Sequence, residues 1–314
     1  MSHSFAFVFP GQGSQAVGML DAWGDHPAVS DTLREASLAL GQDVAALIAQ
    51  GPKEQLDLTT NTQPVMLTAG IACYRAWLAE TGVAPAMAAG HSLGEYSALV
   101  AAGALTLAQA LPLVRLRAQA MQEAVPVGQG AMAAILGLEG EAVKAGCVAA
   151  REASGEVVEA VNFNDPKQTV IAGSKAGVEK AMELLKVAGA KRALPLPVSA
   201  PFHSSLMKPA AERLRVALAE VEFKAPVFPV LNNVDVALVD TPDALRDALY
   251  RQAFQPVRWV ELIQQLAARG HGQVIECGPG KVLAGMVKRI DPTLTTTTIC
   301  DPATLAEARS LLGV

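Results

Sequence analysis

The sequence predicts an α/β protein in two parts: a large α/β domain interrupted by a small inserted domain of βαββαβ order. Three observations predict it. Short apolar runs alternate with long helical patterns over residues 1–125, as they do in α/β domains. Between about 130 and 198 the order changes to strand, helix, two strands, helix, strand, which is the ferredoxin-like arrangement. Alternation of helix and strand then resumes. The expected division is a large domain made of 1–126 and 199–314, with 127–198 as the insert.

The elements follow in order. Phe5 to Phe9 is an apolar strand, and Val29 to Leu40 reads as a helix. Ala86 to Ala89 is short, apolar and strand-compatible, with Pro85 ahead of it. Glu95 to Ala102 reads as a helix stopped by Gly103, and Thr106 is a good N-cap for a helix running to about Ala124. In the insert, strands are expected at 131–136, 157–163, 168–172 and 191–198, and helices at 139–153 and 175–187. Asn164-Asp165-Pro166 forms the turn between the middle strands. Beyond it, a helix near 207–220, a strand at 227–231, a helix at 257–269 and a strand at 273–277 complete the reading.

Composition narrows the function. The chain has 314 residues, 51% hydrophobic and 18% charged, which suits a soluble globular protein with a sizeable core. No apolar run reaches the ~18 residues of a membrane span. The N-terminus lacks the basic segment and cleavage site of a signal peptide, which points to the cytoplasm. Cys73, Cys147, Cys277 and Cys300 are scattered, as reduced thiols are. A net charge of −5 speaks against nucleic acid as a partner, and no zinc-ligand spacing occurs.

Gly90-His91-Ser92-Leu93-Gly94 fits G-x-S-x-G between the expected strand and helix. A sharp strand-to-helix turn exposes a serine hydroxyl beside helix-end N–H groups, which makes Ser92 a candidate nucleophile. A serine needs a base. Of five histidines, His3 lies in the N-terminal tail, His26 in a polar turn and His91 inside the elbow, pointing away from Ser92. His271 falls between two glycines, in an expected surface turn. His203 lies in a loop where the chain re-enters the large domain and follows the serine in chain order, so it is the candidate base. No acid is an obvious third member. Asp165 and Asp235 are both in turn-like settings, and a backbone carbonyl can equally accept from the imidazole Nδ1–H.

Arg117 is flanked at helical spacing by Leu113, Val114, Ala120 and Met121. A guanidinium on an apolar face either reaches out to water or meets a carboxylate that is not local. Arg115 reads as an ordinary residue at the edge of that face. Gly11, Gly13 and Ala16 match G-x-G-x-x-A, but the segment around Asp31 reads as helix where a dinucleotide site needs a strand. Gly278-Pro279-Gly280-Lys281 lacks the leading glycine of a phosphate loop.

Taken together, Phe9 to Gln15, Gly90 to Tyr96, Arg115-Leu116-Arg117, Asn162 to Asn164, Val170 to Gly173, Pro201 to His203, Arg251-Gln252 and Glu276 to Lys281 resemble the malonyl-CoA:acyl carrier protein transacylase family. The resemblance implies an α/β-hydrolase-like large domain carrying the ferredoxin-like insert. It implies that Ser92 is acylated by malonyl-CoA and deacylated by the carrier's phosphopantetheine thiol, with His203 as base. It further implies that a carbonyl near Gln252 holds His203 and that the backbone N–H groups of Gln12 and Leu93 form an oxyanion hole. Arg117 would take the malonyl carboxylate. His91, Asn162 and Phe202 would line the substrate site. The implied partners are malonyl-CoA and acyl carrier protein, with no cofactor or metal, no nucleic acid or membrane, and a monomeric enzyme. An acidic carrier would need a local basic patch, for which Lys281, Lys288 and Arg289, with Lys191 and Arg192, are candidates. A discrete polyketide acyltransferase, a serine esterase or thioesterase, and an inactive carrier-binding module are the competing readings.

Overall fold

The structure, a computed structural model, describes residues 4–198 and 200–314. His3 and Ser199 lie outside the described residues.

The large domain is built on a parallel sheet of order β7-β2-β1-β8-β9. Its strands are β1 (Phe5–Phe9), β2 (Met87–Gly90), β7 (Val230–Leu231), β8 (Gln273–Cys277) and β9 (Thr295–Ile299). β1 is buried on both faces, which is why it reads as an unbroken apolar run. Phe5, Phe7 and Phe9 pack edge-on among one another and against Tyr74 and Trp77 of the long buried helix Thr59–Thr81. Ala6 and Val8 face the other layer, where Trp259, Leu262 and Ile263 close the second core.

The insert is an antiparallel sheet of order β4-β5-β3-β6, made of β3 (Gly130–Leu136), β4 (Val158–Asp165), β5 (Gln168–Ser174) and β6 (Arg192–Pro195). The helices Gly140–Ser154 and Lys175–Val187 pack on it around Ile135, Val143, Ile171 and Leu185. This is the ferredoxin-like unit. The free edge of β4 is covered by the large domain: Val257 N–H donates to Val161 O at 2.8 Å, and Phe163 N–H donates to Val257 O at 3.0 Å. The register of β4 shifts at this point. The bulge and the junction together carry Asn162 and Asn164 to the interface.

Three expectations are corrected. The strand at 227–231 shrinks to Val230–Leu231, since Pro229 has no N–H for a ladder. The strand at 191–198 is shorter, Arg192–Pro195, with Leu196 N–H still donating to Met132 O at 2.9 Å just before Pro197. His271 is buried rather than in a surface turn: its N–H donates to Leu266 O at 3.2 Å, and its Nδ1 lies 2.9 Å from Ser4 Oγ. The segment around Asp31 is helical (Pro27–Leu40), as expected, which removes the dinucleotide reading.

Candidate active site

The site lies at the carboxyl end of the parallel sheet, where β1 and β2 run into their loops and where open α/β sheets form their crevices. The elbow after β2 is tight because two glycines let backbones touch. A Cβ on Gly90 would sit 1.9 Å from the carbonyl of Gly94, and one on Gly94 would sit 2.0 Å from Phe9 O. Ser92 is held at φ 52°, a left-handed conformation that non-glycine residues rarely adopt and that marks functional turns. Asn233, just past β7, clamps the turn from across the sheet: its Oδ1 accepts from Ser92 N–H at 2.8 Å, and its Nδ2 donates to Gly90 O at 2.7 Å.

His203 meets Ser92. Its Nε2 is 2.7 Å from Ser92 Oγ, and its Nδ1 is 2.8 Å from Gln252 O. The loop that presents it is folded on itself by Ser204 Oγ donating to Pro201 O at 2.7 Å, and His203 itself has φ 64°. A carbonyl oxygen only accepts, so Nδ1 carries the proton and Nε2 offers its lone pair to the serine. Burial, reinforced by the charge of Arg117, pulls the His203 imidazole down to about 3, so it is neutral around pH 7. Neither Asp165 nor Asp235 is the third member. Asp165 is buried against Arg289 Nε at 2.7 Å, and Asp235 pairs with both terminal nitrogens of Arg251 at 2.8 and 2.7 Å.

Arg117 comes from the helix Leu107–Glu123, whose start is fixed by a Thr106–Gln109 capping box. It is only 2% exposed. It donates to Gln63 Oε1 at 2.8 Å, Gln252 Oε1 at 2.9 Å and Ser92 Oγ at 3.2 Å. Its guanidinium lies 5.6 Å from the ring centre of Tyr96. Every direct hydrogen-bond partner is neutral, so the cation is solvated by amides and a hydroxyl and aimed at the serine. Arg115 instead points to the helix Pro27–Leu40, donating to Leu40 O at 3.3 Å.

A cleft of about 580 Å³ joins these groups, a volume suited to a small-molecule site. Gln12, His91, Ser92, Leu93, Arg117 and His203 line it from the large domain, and Met132, Asn162, Asn164, Val170 and Leu196 from the insert, with Phe202 at the crossing between the two. His91 turns away from Ser92, with its Nε2 2.8 Å from Asn164 Oδ1 and its ring against Trp259; burial lowers its basicity. Gln252 is fully buried and does not line the cleft, so it holds the residues that do. Among the described residues no cluster of His, Cys, Asp and Glu could hold a metal, and no helix is long and apolar enough to cross a membrane.

Four network members were not named as site residues from the sequence: Gln63, Glu95, Asn164 and Asn233. A signal existed for two of them. Gln63 interrupts a long apolar helix, and Asn232-Asn233 follows directly on a sheet strand.

The acyl transferase domain family model matches residues 6–299. The malonyl CoA-acyl carrier protein transacylase of Escherichia coli K12 is 55% identical over 308 residues, covering 98% of this chain and 99% of the relative. An acyl-carrier-protein S-malonyltransferase from Burkholderia pseudomallei 1710b superposes with a TM-score of 0.96 at 63% identity, covering 99% of this chain and 100% of the other. A malonyl-transacylase solved in complex with its type II PKS acyl-carrier protein superposes with a TM-score of 0.96 at 50% identity over 98% of this chain and 99% of the other. Likeness of this extent, in sequence and in backbone, leaves one conclusion: the chain belongs to the malonyl CoA-acyl carrier protein transacylase family.

Proposed function

We infer that the protein transfers the malonyl group of malonyl-CoA to the phosphopantetheine thiol of acyl carrier protein, as a step of fatty-acid synthesis. The observation that carries this reading is Arg117, a buried cation with only neutral hydrogen-bond partners, 3.2 Å from the nucleophilic oxygen. A guanidinium set so close to Ser92 suits an acyl group that ends in a carboxylate.

The Ser92–His203 contact and the family resemblance support the following steps. Ser92 Oγ attacks the thioester carbon while its proton passes to His203 Nε2. The oxygen that becomes negative is received by the backbone N–H groups of Gln12 and Leu93. The C–S bond then breaks, His203 returns the proton to the departing sulfur, and CoA leaves as the thiol. The carrier's thiol gives its proton to His203 and attacks the ester. Ser92 Oγ departs and recovers the proton, so one base serves both halves. Arg117 holds the malonyl carboxylate throughout, while His91, Asn162 and Phe202 shape the space around the acyl chain. We place the enzyme in the cytoplasm as a monomer that works without metal or cofactor and binds no nucleic acid.

The test is intact-mass analysis after mixing with malonyl-CoA, acetyl-CoA and methylmalonyl-CoA. One malonyl adduct with release of CoA is expected on the wild type, and none on Ser92→Ala. An adduct that survives the substitution, or maps to a cysteine, would overturn the scheme.

A further inference from the structure

Gln252 holds two catalytic groups at once. Its main-chain oxygen accepts from His203, and its side-chain Oε1 accepts from Arg117 at 2.9 Å. That second contact requires one orientation of a carboxamide whose two ends are nearly the same shape. Flipped, it would press an NH2 against a guanidinium. The surroundings settle the orientation. Gln252 Nε2 donates to Ser92 O at 2.8 Å and to Glu95 Oε2 at 2.9 Å. Glu95 is 2% exposed, and the same Oε2 also accepts from Asn233 N–H at 3.0 Å. Asn233 is the residue that clamps the elbow, so one carboxyl oxygen ties the Arg117 support to the Ser92 support.

We propose that Glu95 is a positioning residue for acyl selection: its Oε2 fixes the Gln252 carboxamide so that Oε1 faces Arg117, and thereby holds the guanidinium ready for a carboxylate. The role belongs to acceptor geometry and not to charge. Burial pushes the Glu95 carboxyl up to about 7, against the pull of Gln252, Asn233 and Arg117. With a proton on Oε1, Oε2 still accepts from both N–H groups. The proposal rests on the malonyl-transfer reading of the site.

Two variants separate reach from charge. Glu95→Gln keeps the reach, and Asn233 N–H turns its amide oxygen toward the same two donors. Glu95→Asp keeps the charge but withdraws the acceptor by one methylene. The readout is the ratio of kcat/KM for malonyl-CoA over acetyl-CoA, with thermal melting as the check on folding. Glu95→Asp should lower the ratio about tenfold, the size of a lost hydrogen bond to a charged network. Glu95→Gln should stay within about threefold of wild type. In a Gln252→Ala background, Glu95→Asp should change the ratio by less than about twofold, because the group it acts through is gone. An undiminished ratio in folded Glu95→Asp would overturn the proposal. So would an equal fall in Glu95→Gln, or a full repeat of the Glu95→Asp loss on the Gln252→Ala background. A wild-type enzyme with no preference for malonyl over acetyl would instead overturn the malonyl-transfer reading itself.

Discussion

A neutral imidazole at position 203 follows from where its atoms sit. Burial disfavours the imidazolium, and the Arg117 charge adds to the effect. The free enzyme should therefore keep its base unprotonated well below the usual range of histidine. Since kcat/KM reports the free enzyme, its acid limb for acylation should lie below about 6.5, the ordinary histidine value. Arg117→Ala removes one of the causes that lower it, so the limb should move toward higher pH. A stopped-flow pH profile of CoA release in the two proteins checks this, and a limb that stays put would separate Arg117 from the base. Single residues also set the limit on what the sequence could tell. Ser92 was chosen for its elbow, His203 by elimination and Arg117 for its apolar neighbours, and the structure brings the three side chains together. Glu95 was not legible, because its partners lie far along the chain: Asn233, whose N–H it holds, is 138 residues away.

At the scale of elements, the elbow is a strand end and a helix start pressed together, with Asn233 as the pin. Asn233→Ala would leave Ser92 N–H and Gly90 O without these partners. It should destabilise the fold by roughly 1–3 kcal/mol, the cost of orphaned buried polar groups. It should also slow malonyl and acetyl transfer by similar factors, since it loosens the nucleophile and leaves the carboxylate site in place. Chemical denaturation with both acylation assays checks the pair of effects. A second expectation concerns the helix Val282–Ile290. Glu276 caps it, accepting from Ala284 N–H at 2.8 Å, and burial pushes the carboxyl up to about 7. A carboxyl raised on folding makes the folded state bind the extra proton. Its contribution is complete below about 4.5 and is lost as pH rises through about 7. Glu276→Gln should flatten the fall of melting temperature between about pH 4.5 and 7. Strands were the hardest elements to read. Thr295–Ile299 is a β-branched run at the sheet edge that no alternation betrayed, and Pro229 cuts the expected strand at 227–231 short.

On the scale of the whole molecule, the insert completes the cleft. The α/β reading and the βαββαβ order were both visible as changes of periodicity along the chain. The docking of β4 onto Val257 was not, because it joins backbone groups whose side chains carry no sign of it. An acidic carrier would need a local basic patch on a protein of net charge −5. Arg289 is already engaged with the buried Asp165, so Lys288, exposed beside it, is the better probe. Lys288→Glu should raise the carrier's KM several-fold at low salt and leave acylation by malonyl-CoA unchanged. No change in carrier transfer would move the docking face elsewhere.

On the proposed reading, Arg117 reads the carboxylate of the acyl group. A buried cation left without that carboxylate disfavours neutral acyl groups, so its removal should change preference as well as rate. The most direct measurement is the ratio of kcat/KM for malonyl-CoA over acetyl-CoA in wild type, Arg117→Lys and Arg117→Ala. Arg117→Ala should lose malonyl transfer by about 2–5 kcal/mol in transition-state binding and gain acetyl transfer. Arg117→Lys, which keeps the charge without the two-pronged fork, should fall between. A ratio unchanged by Arg117→Ala in a folded protein would contradict the account.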